Sequence, residues 1–136
     1  MSEGIGFEIM LDSTYEETVH KVVAALKEQG FGILTRIDVK ATLKEKLDAD
    51  FRPYIILGAC NPPLAHQALL ADPSIGLMLP CNVTIESIPQ GGSMVRIVDP
   101  AMMMQVTTFQ DNPALKQVAN QARQKLELVA SSLATN

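Results

Sequence analysis

The stretch from Val83 to Val98, VTIESIPQGGSMVRIV, predicts two β-strands joined by a tight turn. Apolar and polar residues alternate on both sides of the segment Gln90-Gly91-Gly92-Ser93, and a glycine pair in such a position is typical of a β-hairpin. A hairpin joins antiparallel strands, whereas neighbouring parallel strands need a long crossover connection. We therefore expect an antiparallel sheet with helices packed on it, which is an α+β fold.

The rest of the chain alternates between strand-like and helix-like hydrophobic patterns. Thr14-Tyr15-Glu16-Glu17 fits a helix capping box, and Asn61-Pro62 and Asn112-Pro113 each fit a helix cap followed by proline at the first helical position. Residues 54–57 are apolar on both faces, which predicts a central strand covered on both sides, by helices or by a partner subunit. Further strands are predicted over 5–11, 31–39 and 54–60, and helices over 14–29, 42–47, 62–71, 101–105 and 113–133.

The composition predicts one soluble, mildly acidic domain that spans residues 1–136, with 47% hydrophobic residues and a net charge of -4. The densest basic segment, residues 36–52, contains five basic and four acidic side chains, so its net charge is only +1. Nucleic-acid binding needs a cluster of positive charge that attracts phosphates. The composition therefore argues against nucleic acid as a partner.

The N-terminus and the cysteine content bear on where the protein works. The first residues, Met1-Ser2-Glu3-Gly4, lack the positive charge and apolar run of a signal peptide. No segment reaches the length of about 18 uninterrupted apolar residues that a transmembrane helix needs. Two cysteines without a signal peptide are typical of a reducing compartment. We expect a cytoplasmic protein that does not interact with a membrane.

The two cysteines are the best place to look for chemistry in this chain. Cys60 lies in Gly58-Ala59-Cys60-Asn61-Pro62 and Cys81 lies in Leu79-Pro80-Cys81-Asn82-Val83, so each closes an apolar run and each precedes an asparagine. Cys60 comes just before a predicted helix N-terminus, where unpaired amides and the helix dipole favour a thiolate. Antiparallel pairing of the two neighbouring strands would bring the sulfur atoms close together.

Three interpretations of this pair remain open. The cysteines fit small buried apolar residues in a structural or partner-binding protein. They also fit a site for a transition-metal ion such as zinc, with His66 as a third ligand, although the spacing matches no standard zinc pattern. Finally, they fit a thiol-dependent enzyme that acts on sulfur species, although 20 intervening residues lack the geometry of Cys-x-x-Cys.

A second group of sulfur side chains lies in the run Met102-Met103-Met104. Such a run fits soft-metal binding or an adaptable apolar surface. Consecutive residues on a helical turn cannot all face one metal ion, so packing in a core or an interface is the favoured interpretation. The chain lacks the general sequence patterns of phosphate loops, serine hydrolases and zinc proteases. No catalytic residue is assigned, and the question of an enzyme stays open.

Taken together, these segments resemble the family catalogued as domain of unknown function 302, over residues 14–133. The resemblance implies a fold similar to that of the TATA-binding protein, with a curved antiparallel sheet and a long C-terminal helix. It also implies a homodimer. The segments that carry it are Thr14-Tyr15-Glu16-Glu17, Gly30-Phe31-Gly32, Ile37-Asp38-Val39, Ala41-Thr42-Leu43-Lys44, Ala68-Leu69 and the two cysteine segments. The residues that it singles out are Cys60, Asn61, Pro62, Pro80 and Cys81.

The leading hypothesis is a small homodimer that binds a metal ion or a small molecule beside the two cysteines. An apolar pocket between a sheet and a long helix, with polar groups at its mouth, suits such a ligand. The predicted metal ligands are Cys60, Cys81 and His66. The predicted ligand-binding residues are Cys60, Asn61, Pro62, Cys81 and Asn82.

Overall fold

Six strands form one antiparallel sheet in the computed structural model, which describes residues 2–135. The strands are β1 (Ser2–Glu3), β2 (Gly6–Leu11), β3 (Gly32–Asp38), β4 (Tyr54–Cys60), β5 (Cys81–Ser87) and β6 (Ser93–Val98), in the order β1-β2-β6-β5-β4-β3 across the sheet. The helices are α1 (Tyr15–Glu28), α2 (Val39–Leu47), α3 (Pro62–Ala71), α4 (Pro100–Met104) and α5 (Pro113–Ala134), with 3₁₀ helices at Pro73–Met78 and Thr108–Asp111. The predicted α+β fold with a long C-terminal helix is confirmed.

The predicted hairpin is formed by β5 and β6, with Val83 opposite Ile97 and Ser87 opposite Ser93. Gly92 in its turn has a φ of 86°, a left-handed conformation that favours glycine. A side chain at this position would also collide with the backbone carbonyl of Leu11. The turn that was predicted from the glycine pair is therefore confirmed.

The sheet has one face covered by helices, the covered face, and one open face. Alternation along each strand sends successive side chains to opposite faces. On the covered face, α1 and α5 pack over a row of directly opposed residues: Phe7, Ile97, Val83 and Leu57. On the open face the adjacent row is Glu8, Arg96, Thr84, Ile56 and Ile37.

Strand β4 lies next to the edge strand β3, and helices cover only one of its faces. Leu57 is buried against the helices, whereas Tyr54 and Ile56 point to the open face and are half-buried. Of the two predicted covers for this strand, helices or a partner subunit, helices within the chain therefore do not bury its outer face. On the open face, too few neighbouring groups pack against residues 54–57 to bury them.

Helix α5 joins two apolar cores. Its C-terminal half contributes Leu126, Val129 and Leu133 to the core between the sheet and α1. Its N-terminal half contributes Leu115 and Ala119 to a second core, which includes residues of α3, α4 and the first 3₁₀ helix. A helix of 22 residues is about 33 Å long, which is long enough to extend past the end of the sheet. The second core therefore forms a helical cap beyond the strand ends.

One long segment has no buried residue at all. Each of residues 32–53 is exposed or half-buried, and we call this stretch the uncovered segment. It includes the edge strand β3, which pairs only with β4. It also includes α2, whose Leu47 is 71% exposed. A strand and a helix without any buried side chain are unusual in a folded protein, because most helical stability comes from packing.

Among residues 2–135, no helix combines the length and the apolar character needed to cross a membrane. The cytoplasmic location and the absence of nucleic-acid binding stay predictions. The single domain over 1–136 also stays a prediction, and its two end residues, Met1 and Asn136, lie outside the described part of the chain.

Candidate ligand cavity

The ladder between β4 and β5 fixes the positions of the two cysteines. Ala59 lies directly opposite Cys81, so Cys60 lies one residue beyond that pair. Because side chains alternate along a strand, Cys81 shares the covered face with Ala59, whereas Cys60 belongs to the open face. The two strands do pair antiparallel, but their register puts the two thiols on opposite faces of the sheet. Both cysteines are free.

A cavity of about 820 Å³ lies where β4 ends and β5 begins, and both cysteines line it. Its walls include Ala59, Cys81 and Ile97 from the covered face and Cys60, Asn82 and Thr84 from the open face. The cavity therefore continues around the end of the sheet from one face to the other. The helical cap supplies the remaining wall, which is apolar: Leu64, Ala68, Leu69, Ile75, Met104, Leu115, Val118 and Ala119.

Asn61 holds the start of α3 against the cavity. Its Oδ1 accepts a hydrogen bond from the backbone amide of Leu64, at 3.4 Å, and its Nδ2 donates to the carbonyl of Gln29, at 3.3 Å. The side chain therefore caps α3 and ties it to the end of α1. Asn61 is buried and lines the cavity, whereas Pro62 is exposed and does not. The predicted residue Pro62 thus starts the helix without reaching the cavity.

The Cys81 side chain is partly buried and packs against the core under α1 and α5. Burial, together with the charge of the neighbouring Cys60, raises the pKa of Cys81 from 9.0 to about 11. Cys81 is consequently a protonated thiol at neutral pH and a poor nucleophile. Its sulfur behaves as an apolar wall atom of the cavity.

The predicted metal ligand set does not come together. His66 is exposed and does not line the cavity that contains Cys60 and Cys81. Leu64 and Ala68 face inward, and His66 lies about 200° around the helix from Leu64, so it points outward. Within residues 2–135, no group of three or more Cys, His, Asp or Glu side chains is placed to hold a metal ion. The geometry therefore does not support a site made of the two cysteines and this histidine.

Several cavity residues were missed in the sequence. Met103 and Met104 of the methionine run line the cavity, together with Met78, whereas Met102 is exposed outside it. The methionine run alone could have indicated a cavity wall, because flexible thioether side chains often line adaptable apolar sites. The mouth also includes Ile5, Leu34 and Leu77, which are 69%, 66% and 89% exposed.

The open face beside the cavity carries an ion-pair network that the sequence did not reveal. Arg96 Nε donates to Glu8 at 2.7 Å, and Arg96 Nη1 donates to Glu86. Arg52 Nε donates to the same Glu86 at 2.6 Å. Burial opposes ionisation of Glu86, but the hydrogen bonds and charges of the two arginines outweigh it and lower its pKa. The bonds to Glu8 and Glu86 raise the pKa of Arg96.

The sequence pattern that defines the family described as Domain of unknown function DUF302 matches residues 7–133. The chain belongs to the DUF302 family. Its fold is similar to the crystal structure of an uncharacterized conserved DUF302 protein from Bacillus stearothermophilus. The two chains are 26% identical and superpose with a TM-score of 0.84, over 96% of this chain and 99% of the other. No curated protein matches this DUF302 chain. The resemblance inferred from the cysteine segments and helix caps is therefore confirmed.

Proposed function

We propose that this DUF302 protein binds a small, largely apolar molecule in the cavity at the end of its sheet. The observation that carries the proposal is the combination of volume and lining: about 820 Å³ enclosed mostly by leucine, isoleucine, methionine and alanine side chains. Ligand sites for small molecules typically measure about 300–1,000 Å³ and are predominantly apolar with a few polar groups.

The exposed apolar mouth supports the same proposal. Ile5, Leu34 and Leu77 line the cavity and yet expose most of their surface to solvent. Clustered exposed apolar side chains on a folded protein often mark a binding site. An apolar ligand that fills the cavity would remove part of this surface from water, at about 25 cal/mol per Å² of apolar area.

Methionine side chains suit a cavity that must adapt to its occupant. Met78, Met103 and Met104 contribute three flexible thioethers to the walls. Unbranched methionine fills irregular gaps and contacts aromatic and aliphatic groups alike. In this proposal Cys60, Asn61, Cys81 and Asn82 form the less apolar wall where β4 ends and β5 begins, and the thiols contact the ligand without reacting.

The test is fluorescence titration with N-phenyl-1-naphthylamine, a neutral apolar probe. We expect saturable binding to the wild-type protein with one site per chain. Met103→Trp places an indole inside the cavity and should weaken binding at least several-fold, whereas Met102→Trp on the exposed neighbour should leave it unchanged. Thermal unfolding of each variant confirms that it is folded. Absence of saturable binding, or equal effects of the two substitutions, would contradict the proposal.

We also infer that two copies pair through the uncovered segment. A stable protein interface engages about 20–30 residues on each side, and residues 32–53 supply 22 that are not buried in the single chain. The free edge of β3 offers unpaired backbone donors and acceptors to another strand. If the two β3 strands pair antiparallel about a two-fold axis at Ile37, Arg36 lies opposite the partner's Asp38. Opposite charges then face each other across the interface.

A further inference from the structure

The two ends of the cavity differ in polarity. At the helical cap its walls are entirely apolar, with Leu115 and Met104 deeply buried. At the open face it is bordered by Glu8, Arg96 and Thr84, which lie directly opposite one another on β2, β6 and β5. A molecule that fills the whole cavity therefore has one apolar end and one polar end.

The polar end carries strong hydrogen-bonding groups but no net charge. Two guanidinium groups, of Arg52 and Arg96, pair with two carboxylates, of Glu8 and Glu86, and of these four groups Arg96 and Glu8 line the cavity. The Glu86 side chain is only 8% exposed and is bonded to both arginines, so its carboxylate is held in a fixed position. Arg96 uses two of its five N–H groups in these bonds, which leaves donors for an additional acceptor.

A charged head group fits this end poorly. An anion would lie beside Glu8, and its attraction to Arg96 is already offset by the carboxylates of Glu8 and Glu86, which pair with this arginine. A cation would lie beside Arg96 and would have to compete with it for the carboxylates. Because an uncompensated charge is costly to remove from water, a neutral oxygen acceptor is the better complement.

We propose that the cavity takes an elongated neutral amphiphile, with its apolar tail under the helical cap and a hydroxyl or carbonyl oxygen beside Arg96 and Thr84. This inference rests on the proposed ligand-binding function and names the chemical class of the ligand. The head accepts a hydrogen bond from the Arg96 guanidinium, and the Thr84 hydroxyl is placed to donate a second one. The charges of the network do not change on binding.

The test is displacement of N-phenyl-1-naphthylamine by molecules of one chain length: 1-decanol, decanoate and decylammonium. The decisive variant is Glu8→Gln, which leaves the polar end with a net positive charge. It should tighten decanoate at least several-fold and change the affinity of 1-decanol less than twofold. Glu127→Gln on α5, whose carboxylate pairs with Arg123 away from the cavity, is the matched control and should change neither.

The outcomes separate the two proposals. If the probe binds and all three molecules displace it without any effect of Glu8→Gln, the cavity is a ligand site but the head group is not beside Arg96, and this inference is overturned. Tighter binding of decanoate than of 1-decanol to the wild-type protein overturns it as well. If the probe itself does not bind, the proposed function is contradicted, and this inference, which depends on it, is contradicted as well.

Discussion

Cys60 and Cys81 lie on neighbouring strands but face opposite sides of the sheet. The reason is the register of the β4–β5 ladder, in which Ala59 and not Cys60 is the residue opposite Cys81. A shift by one residue would place both thiols on one face, because the side-chain period of a strand is two. The cavity brings the two cysteines into one site nonetheless, since it continues around the end of the sheet.

The two thiols should react at very different rates with iodoacetamide. The pKa of Cys81, raised from 9.0 to about 11, reduces its thiolate fraction at neutral pH about 100-fold, and burial limits access further. In a Cys60→Ser variant, which also removes the smaller contribution of the Cys60 charge, we expect alkylation of Cys81 at pH 7 to be at least about tenfold slower than that of a free thiol, because burial is the larger cause of its raised pKa. Its rate should still rise with pH above pH 9, the ordinary pKa of a cysteine thiol, because burial keeps the Cys81 thiol protonated there. Alkylation of Cys81 at the rate of a free thiol at pH 7 would show that it is not buried in this way.

Removal of the Glu86 carboxylate should destabilise the protein. Glu86→Gln leaves Arg52 and Arg96 without their shared partner, and because both guanidinium groups are partly exposed we expect a loss of about 1–2 kcal/mol. The pKa of Glu86 is lowered in the folded state, so its contribution is present above the unfolded pKa, near 4.5. It is lost as the pH falls through the lower folded value.

Urea unfolding between pH 3 and pH 7 measures this contribution. The difference between the wild type and Glu86→Gln should be constant near neutral pH and should shrink in acid. The control is Glu127→Gln, which breaks an exposed pair with Arg123 and should cost less than about 0.5 kcal/mol. A difference that grows as the pH falls would contradict the described network.

Asn61 should matter more than an ordinary helix cap. Asn61→Ala removes both the cap of α3 and the bond to the Gln29 carbonyl, and we expect a loss of about 1–3 kcal/mol. Asn61→Ser keeps a side-chain oxygen that can cap α3, adds no charge to this buried site and loses the amide donor, so its cost should be smaller. Asn112→Ala, at the less buried cap of α5, serves as the comparison and should cost about 1 kcal/mol. Equal losses for Asn61→Ala and Asn61→Ser would show that the capping acceptor contributes nothing.

Pairing of two copies through the uncovered segment is tested by sedimentation equilibrium. Ile37 is 46% exposed on β3, and Ile37→Lys places a charge on the edge strand, which natural sheets use to prevent pairing. We expect a dimer for the wild type and a monomer for this variant. Leu128→Lys, which replaces an apolar residue of similar exposure (54%) on α5, should remain a dimer. A monomeric wild type, or a dimer that survives Ile37→Lys, would place the interface elsewhere or remove it.

Local signals in the sequence were sufficient for the five α-helices and five of the six strands, whereas β1 and the two 3₁₀ helices were not predicted. The caps Thr14, Asn61 and Asn112 each accept a backbone hydrogen bond at the helix starts where they were predicted. The turn at Gly91-Gly92 joins the predicted hairpin strands. These features depend on neighbours within about four residues, so a single sequence contains the necessary information.

The candidate site could be predicted only in part, because its walls come from distant segments. The strand ends at Cys60 and Cys81 were identified, since both cysteine segments lie at strand boundaries. The assignment of His66 failed, because its direction depends on which face of α3 packs inward. The pairing of Arg96 with Glu8 spans 88 positions and depends on the order of strands in the sheet, which no local pattern reveals.

The most direct test of ligand binding in the cavity uses the methyl signals of methionine. In protein labelled with ¹³C at the methionine methyl groups, 1-decanol should shift the signals of Met78, Met103 and Met104, which line the cavity. The signals of Met10, Met94 and Met102, which do not line it, should stay in place. Shifts confined to the second group, or no shifts at concentrations near the solubility limit of 1-decanol, would contradict the proposed cavity ligand.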